Sequence, residues 1–208
     1  LFPYTSLFRS YLARYRADFR FMLQQLAGGP ALVHVEPDFW GYAQQSSPDP
    51  HATPAAVPAA NPEDCGGEES SIAGLGRCLV AMARIHAPGV KIGLHGSGWA
   101  TGFDGRQNAE PGGDFGAHAS ALGSFLAATA PDADLVLVDA SDCDAGYYAS
   151  IGREAWWDDT NTTLPSFHQA FDWSRGVSEA LGRPHLWWQL PFGNASLSGD
   201  AGQWNDNR

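Results

Sequence analysis

Apolar positions along this chain follow two alternating periods. Tyr11, Leu12, Tyr15, Phe19, Met22, Leu23 and Leu26 recur about every 3.6 residues and predict a helix that stops at Gly28 and Gly29. Ile72, Leu75, Leu79, Met82 and Ile85 predict a second helix, with Ser70 or Ser71 placed to cap its start. Phe115, Leu122, Phe125 and Leu126 mark a third, ending near Pro131. The fourth carries Phe167, Phe171, Val177 and Leu181, with Thr163 as its cap, Pro165 early in it and Gly182 as its stop.

Four short apolar runs lie between and after these helices, at residues 31–40, 90–97, 134–142 and 185–191. Side chains alternate faces along a strand. In the first run Leu32, His34, Glu36 and Asp38 therefore share one face, opposite Val33 and Val35, and Trp40 follows. In the second, Ile92 and Leu94 oppose Gly93, His95 and Ser97. The third is apolar through Val138 and turns polar at Asp139, Ser141 and Asp142. In the fourth, Trp187 and Gln189 oppose Leu186, Trp188 and Leu190, which turns Trp188 toward the helices unless the strand has a bulge. Near-continuous apolar runs suit strands covered by helices. The order helix, strand, repeated four times, predicts an α/β fold with a parallel sheet.

Two parallel architectures compete, a closed (β/α)8 barrel and an open doubly wound sheet. No strand is followed by the Gly-rich phosphate fingerprint of dinucleotide-binding sheets. Polar residues gather at several strand ends instead, where barrels place their active sites. The expectation is a partial (β/α)8 TIM-type barrel, roughly strands four to seven, over residues 11–208. Residues 1–10 resemble the translation of a common sequencing-library adapter and are expected to be non-native. Both ends of the chain are expected to be truncated. The open edges of a four-strand piece are expected to leave it poorly stable by itself.

Two connections are long. Residues 41–69 carry five prolines among Ala, Ser and Asn, and read as a weakly ordered insertion. Residues 141–163 carry Tyr147, Tyr148, Trp156 and Trp157, which need a surface to pack on. Cys78 sits in an apolar helical stripe and reads as core. Cys65 and Cys143 follow strand ends on one expected face, where they either bridge or remain free thiols.

Charge narrows the function classes. The net charge of −11 argues against nucleic acid as a partner. No apolar stretch is long enough to span a membrane. Lys91 is the only lysine among 12 Lys and Arg residues, a bias of GC-rich bacterial genomes. No Cys-x-x-Cys pair is present to seed a thiolate zinc site. No cofactor is implied, and the oligomeric state is not legible.

Acids and aromatics at strand ends fit glycoside hydrolysis, which commonly uses two carboxyl groups flanking the bond. Sugar rings stack on Trp and Tyr, and the chain has 8 Trp. The pieces Val35-Glu-Pro-Asp38, His95-Gly-Ser-Gly-Trp-Ala100, Val138-Asp-Ala-Ser-Asp142 and Trp187-Trp-Gln189 together resemble the barrel glycoside hydrolases. That resemblance implies a secreted enzyme acting on a polysaccharide or glycan. It implies Glu36, at the end of strand four, as general acid. The clan's strand-seven Glu is replaced here by Gln189, so the second carboxylate falls to Asp139, with Asp142 in reserve. His34, Asp38, Trp40, His95, Trp99, Trp188 and Gln189 are the expected substrate-binding residues. Two alternatives stay open. A carbohydrate-binding barrel without turnover is one, and Gln189 favours it. A metal-dependent barrel hydrolase using His34, Glu36, Asp38, His95 and Asp139 is the other.

Overall fold

A computed structural model describes residues 6–104, 114–139, 145–153 and 155–188. Its centre is a four-stranded sheet of β1 (Leu32–Val35), β2 (Lys91–His95), β3 (Leu135–Asp139) and β4 (His185–Trp188). All neighbouring strands pair in parallel, and spatial order equals chain order. The expected α/β class and parallel sheet are therefore present.

The registers place Val33, Val35, Ile92, Leu94, Val136 and Val138 side by side on one face. That face is buried against helices. It joins Leu12, Phe19 and Leu23 of α1 (Ser6–Leu26) and, from later in the chain, Leu75, Leu79, Leu122, Leu126, Trp173 and Val177 in one apolar core. The opposite face carries Leu32, His34, Gly93, His95, Leu137, Asp139, Leu186 and Trp188. Leu32 and Leu186 on it stay exposed. Apolar burial is worth about 25 cal/mol per Å2, so the helix-covered face contributes most to holding the fold together.

Residues 41–69 are ordered, contrary to the sequence expectation. They form α2 (Phe39–Ser46), α3 (Val57–Ala60) and α4 (Pro62–Cys65). The prolines start short helices here instead of loosening the chain: Pro58 and Pro62 both sit in the first turns of theirs. The buried Arg16 of α1 donates to the Val57 carbonyl at 2.7 Å, and burial pushes its guanidinium down to about 10. Arg20 forks onto Asp64 at 2.9 and 2.7 Å. A disulfide joins Cys65 to Cys78 on α5 (Ile72–His86). This corrects the reading of Cys78 as a plain core thiol, and gives Cys65 a partner other than Cys143, which lies outside the described residues.

Local signals set the remaining boundaries. Ser71 caps α5, accepting the Gly74 N–H at 3.1 Å. Asp114 caps α6 (Phe115–Thr129) in the same way through Ala117. A short helix, α7 (Ala145–Ser150), opens the second long connection. The last helix, α8 (Phe167–Leu181), is capped by Ser166 and not by Thr163. Thr163 is spent instead on Asp158, whose carboxylate also takes the N–H groups of Thr160 and Thr162. Those hydrogen bonds, the Thr160 hydroxyl first, hold the Asp158 carboxyl well below the usual carboxylate range. Trp157 finds its surface at once: it is buried edge-on against Phe167. Gly182 ends α8 in the left-handed conformation, as expected.

Candidate functional site

The two edges of the sheet differ. At the edge where strands begin, Asp134 accepts the Ile92 N–H, Lys91 and Arg84, each at 2.9 Å. Although burial opposes it, that company holds the Asp134 carboxyl below its ordinary value. At the edge where strands end, each of the four contributes a side chain to one cluster.

The cluster sits on the face away from the helices. His34 Nε2 lies 3.1 Å from His95 Nδ1. His95 Nε2 lies 3.8 Å from an Asp139 carboxylate oxygen. The Trp188 ring stands edge-on to both imidazoles, 4.4 Å from His34 and 5.7 Å from His95. β1, β2, β3 and β4 thus contribute His34, His95, Asp139 and Trp188 in that order. His95 is almost fully buried, while His34 is half-buried. Burial lowers the His34 pKa, against a smaller pull upward from Asp139. A neutral His95 is best placed with its Nε2 proton toward Asp139. Nδ1 of His95 then accepts from Nε2 of His34, and Nδ1 of His34 becomes the proton acceptor of the chain. The indole N–H of Trp188 is buried and finds no acceptor among the described residues.

Trp188 corrects the expected phase of β4. Asp139 pairs with Trp188 and Val138 with Trp187, so Trp188 shares the histidine face. Trp187 turns to the helices and stacks on Phe171 of α8 at 4.9 Å. No bulge is needed.

Glu36 departs from the face expected for it. The strand ends at Val35, and Glu36 takes a left-handed backbone with φ 51°. This breaks the alternation that would place Glu36 beside His34. Tyr15 of α1 lines the same cavity as Glu36, and burial, reinforced by the Glu36 carboxylate, pushes the Tyr15 phenol pKa up. Non-glycine residues held in that conformation collect at functional sites. Asp38 stands exposed at the start of α2.

The remaining tryptophans split. Trp40 is fully buried, and its indole N–H is spent on the Val35 carbonyl at 2.9 Å. It is a packing residue in place of the sugar platform expected of it. Trp99 lies in a 3-10 turn (Gly98–Thr101) just after β2 and is half-buried. Its ring packs on Gly41 and meets Tyr42 at 4.8 Å. A Cβ at Gly41 would come within 2.6 Å of the Trp99 ring, so only glycine lets the two approach. Tyr42, which is not among the residues expected at the site, is well exposed. Asp142 and Gln189 lie outside the described residues.

Among the described residues, no three His, Cys, Asp or Glu side chains are grouped to hold a metal ion. No helix among the described residues is long and apolar enough to cross a membrane. Comparison with protein-family models, with curated proteins and with solved structures finds no match for the chain.

Proposed function

We propose that the sheet is part of a (β/α)8 barrel and that its helix-free face binds a glycan and hydrolyses it. Three features support the barrel. The strands are parallel and sequential, and among the described residues the core helices pack on one face. A doubly wound sheet would cover both faces. The side chains that carry chemistry stand where the strands end, as in barrel enzymes.

The observation that carries the glycan reading is the convergence of His34, His95, Asp139 and Trp188 from four consecutive strands. It combines a carboxylate, an imidazole pair and an indole N–H without an acceptor among the described residues, and the half-buried Trp99 and exposed Tyr42 add a pair of rings after β2. Sugar hydroxyls and sugar faces are suited to both. In this reading Asp139 is the base, and Glu36 acts as the acid after its side chain swings from the helix-side cavity over the end of β1. The Cys65–Cys78 disulfide supports a secreted protein.

One observation favours a second reading, glycan binding without turnover. Glu36 lines a cavity on the helix side, with Tyr15 of α1, instead of the face that carries Asp139. The experiment is a turnover assay on a panel of polysaccharides, run on wild type and Glu36→Gln with a chelator control. Hydrolysis by wild type that drops about a hundred- to ten-thousand-fold in Glu36→Gln supports the acid role. Binding without hydrolysis in wild type supports the second reading. Activity removed by the chelator contradicts both.

A further inference from the structure

The Glu36 side chain looks into a cavity that the glycan reading does not use. The cavity measures about 210 Å3 and lies between α1, α2, α5 and the segment Thr53 to Ala55. That is below the roughly 300–1,000 Å3 of drug-sized sites, so it suits a small group. Its walls are Leu12, Ile72, Leu75 and Leu79 on the aliphatic side, and Tyr11, Tyr15, Phe39 and Trp40 on the aromatic side. Among the described residues, Glu36 is the only acidic or basic one that lines it.

Four aromatic rings and one carboxylate make a specific chemical environment. Aromatic faces carry negative charge density and attract cations without forming hydrogen bonds to them. A carboxylate among them supplies the counter-charge. An apolar ligand would waste the carboxylate, and an anion would be repelled by it. A strongly hydrated inorganic cation would find too few oxygen ligands. An alkylated ammonium group satisfies both halves: its methyl groups pack on rings and aliphatic side chains, and its charge faces Glu36. Glu36 leaves the strand with a left-handed backbone and lines the cavity beside Tyr15. The neighbouring Arg16 does not line the cavity, since its guanidinium turns to the Val57 carbonyl.

We propose that this cavity is a binding site for a small organic cation of the alkylammonium class, held by Glu36 and an aromatic wall of Tyr11, Tyr15, Phe39 and Trp40. The proposal stands independently of whether Glu36 transfers a proton to a glycan.

The test is calorimetric titration of the 208-residue chain with choline and with 3,3-dimethylbutan-1-ol, its neutral isostere of the same shape. Choline is expected to bind at least about tenfold more tightly than the isostere, a preference of roughly 1.4 kcal/mol. Glu36→Gln, which keeps size and the Tyr15 contact, is expected to erase that preference while the isostere binds as before. Phe39→Leu is expected to weaken choline more than the isostere, because the ring face is lost and most apolar volume is kept. Equal binding of the two probes to wild type would reduce the cavity to an apolar slot and overturn the proposal. So would binding of neither probe, or a choline preference that survives Glu36→Gln. No glycan is present in the titration, so its outcome is separate from that of the turnover assay.

Discussion

His34 Nε2 and His95 Nδ1 stand 3.1 Å apart across the β1–β2 pair, and only one of the two nitrogens can carry the proton between them. If both rings were charged, two N–H groups would face each other. The pair therefore resists protonation, and burial lowers the His34 pKa in the same direction. His185, on the other face, is lowered by burial too. The sign follows from linkage: below the ordinary histidine value the unfolded chain takes up more protons than the folded one, so folding stability rises with pH there. Melting temperature is expected to hold above about pH 7 and to fall as the pH drops through about 6.5. His34→Gln is expected to flatten that fall. A melting series from pH 8 to pH 5 on both proteins checks it.

The histidine pair was half legible in the sequence. Period-two alternation in 31–40 and 90–97 put His34 and His95 on the same kind of face, and the parallel register did the rest. What alternation could not foresee was Glu36. A single left-handed residue after Val35 resets the phase, and no glycine marks it. β4 misled for a different reason. Both of its faces carry large aromatics, so composition does not distinguish in from out, and only pairing with Asp139 decides that Trp188 faces the site. The insertion misled because Pro, Ala and Ser read as disorder when counted. Read by position, Pro58 and Pro62 are helix starts, and Arg20, Asp64 and the two cysteines pin the segment from distant points of the chain.

The Cys65–Cys78 bridge closes a short loop over the start of α5, at a sequence separation of 13. A loop of that size is worth about 3 kcal/mol through the entropy of the unfolded chain. Reduction, or the double replacement Cys65→Ala and Cys78→Ala, is expected to lower the denaturant midpoint accordingly. It should also expose residues 41–69 to protease before the rest of the domain. Equal protease resistance with and without reductant would mean that Arg16 and Arg20 suffice to hold the insertion.

Gly41 and Trp99 give a way to move the proposed platform without touching the histidine cluster. Gly41→Ala puts a methyl group where the Trp99 ring now lies. The ring must shift, since a contact at 2.6 Å has no room to relax. Glycan affinity is expected to fall while the His34–His95 pH dependence of stability stays unchanged. Glycan titration and the melting series, run on the same variant, separate the two effects.

Asp139 carries the central claim, because it is the carboxylate placed in contact range of the buried His95 on the helix-free face. Asp139→Asn keeps the shape and removes the base. The decisive measurement is single-turnover hydrolysis of a bound glycan by wild type and Asp139→Asn, with affinity measured in parallel. The account predicts a loss of about a hundred- to ten-thousand-fold in the rate of the chemical step, with affinity changed by less than about tenfold. An Asp139→Asn rate equal to wild type would contradict it.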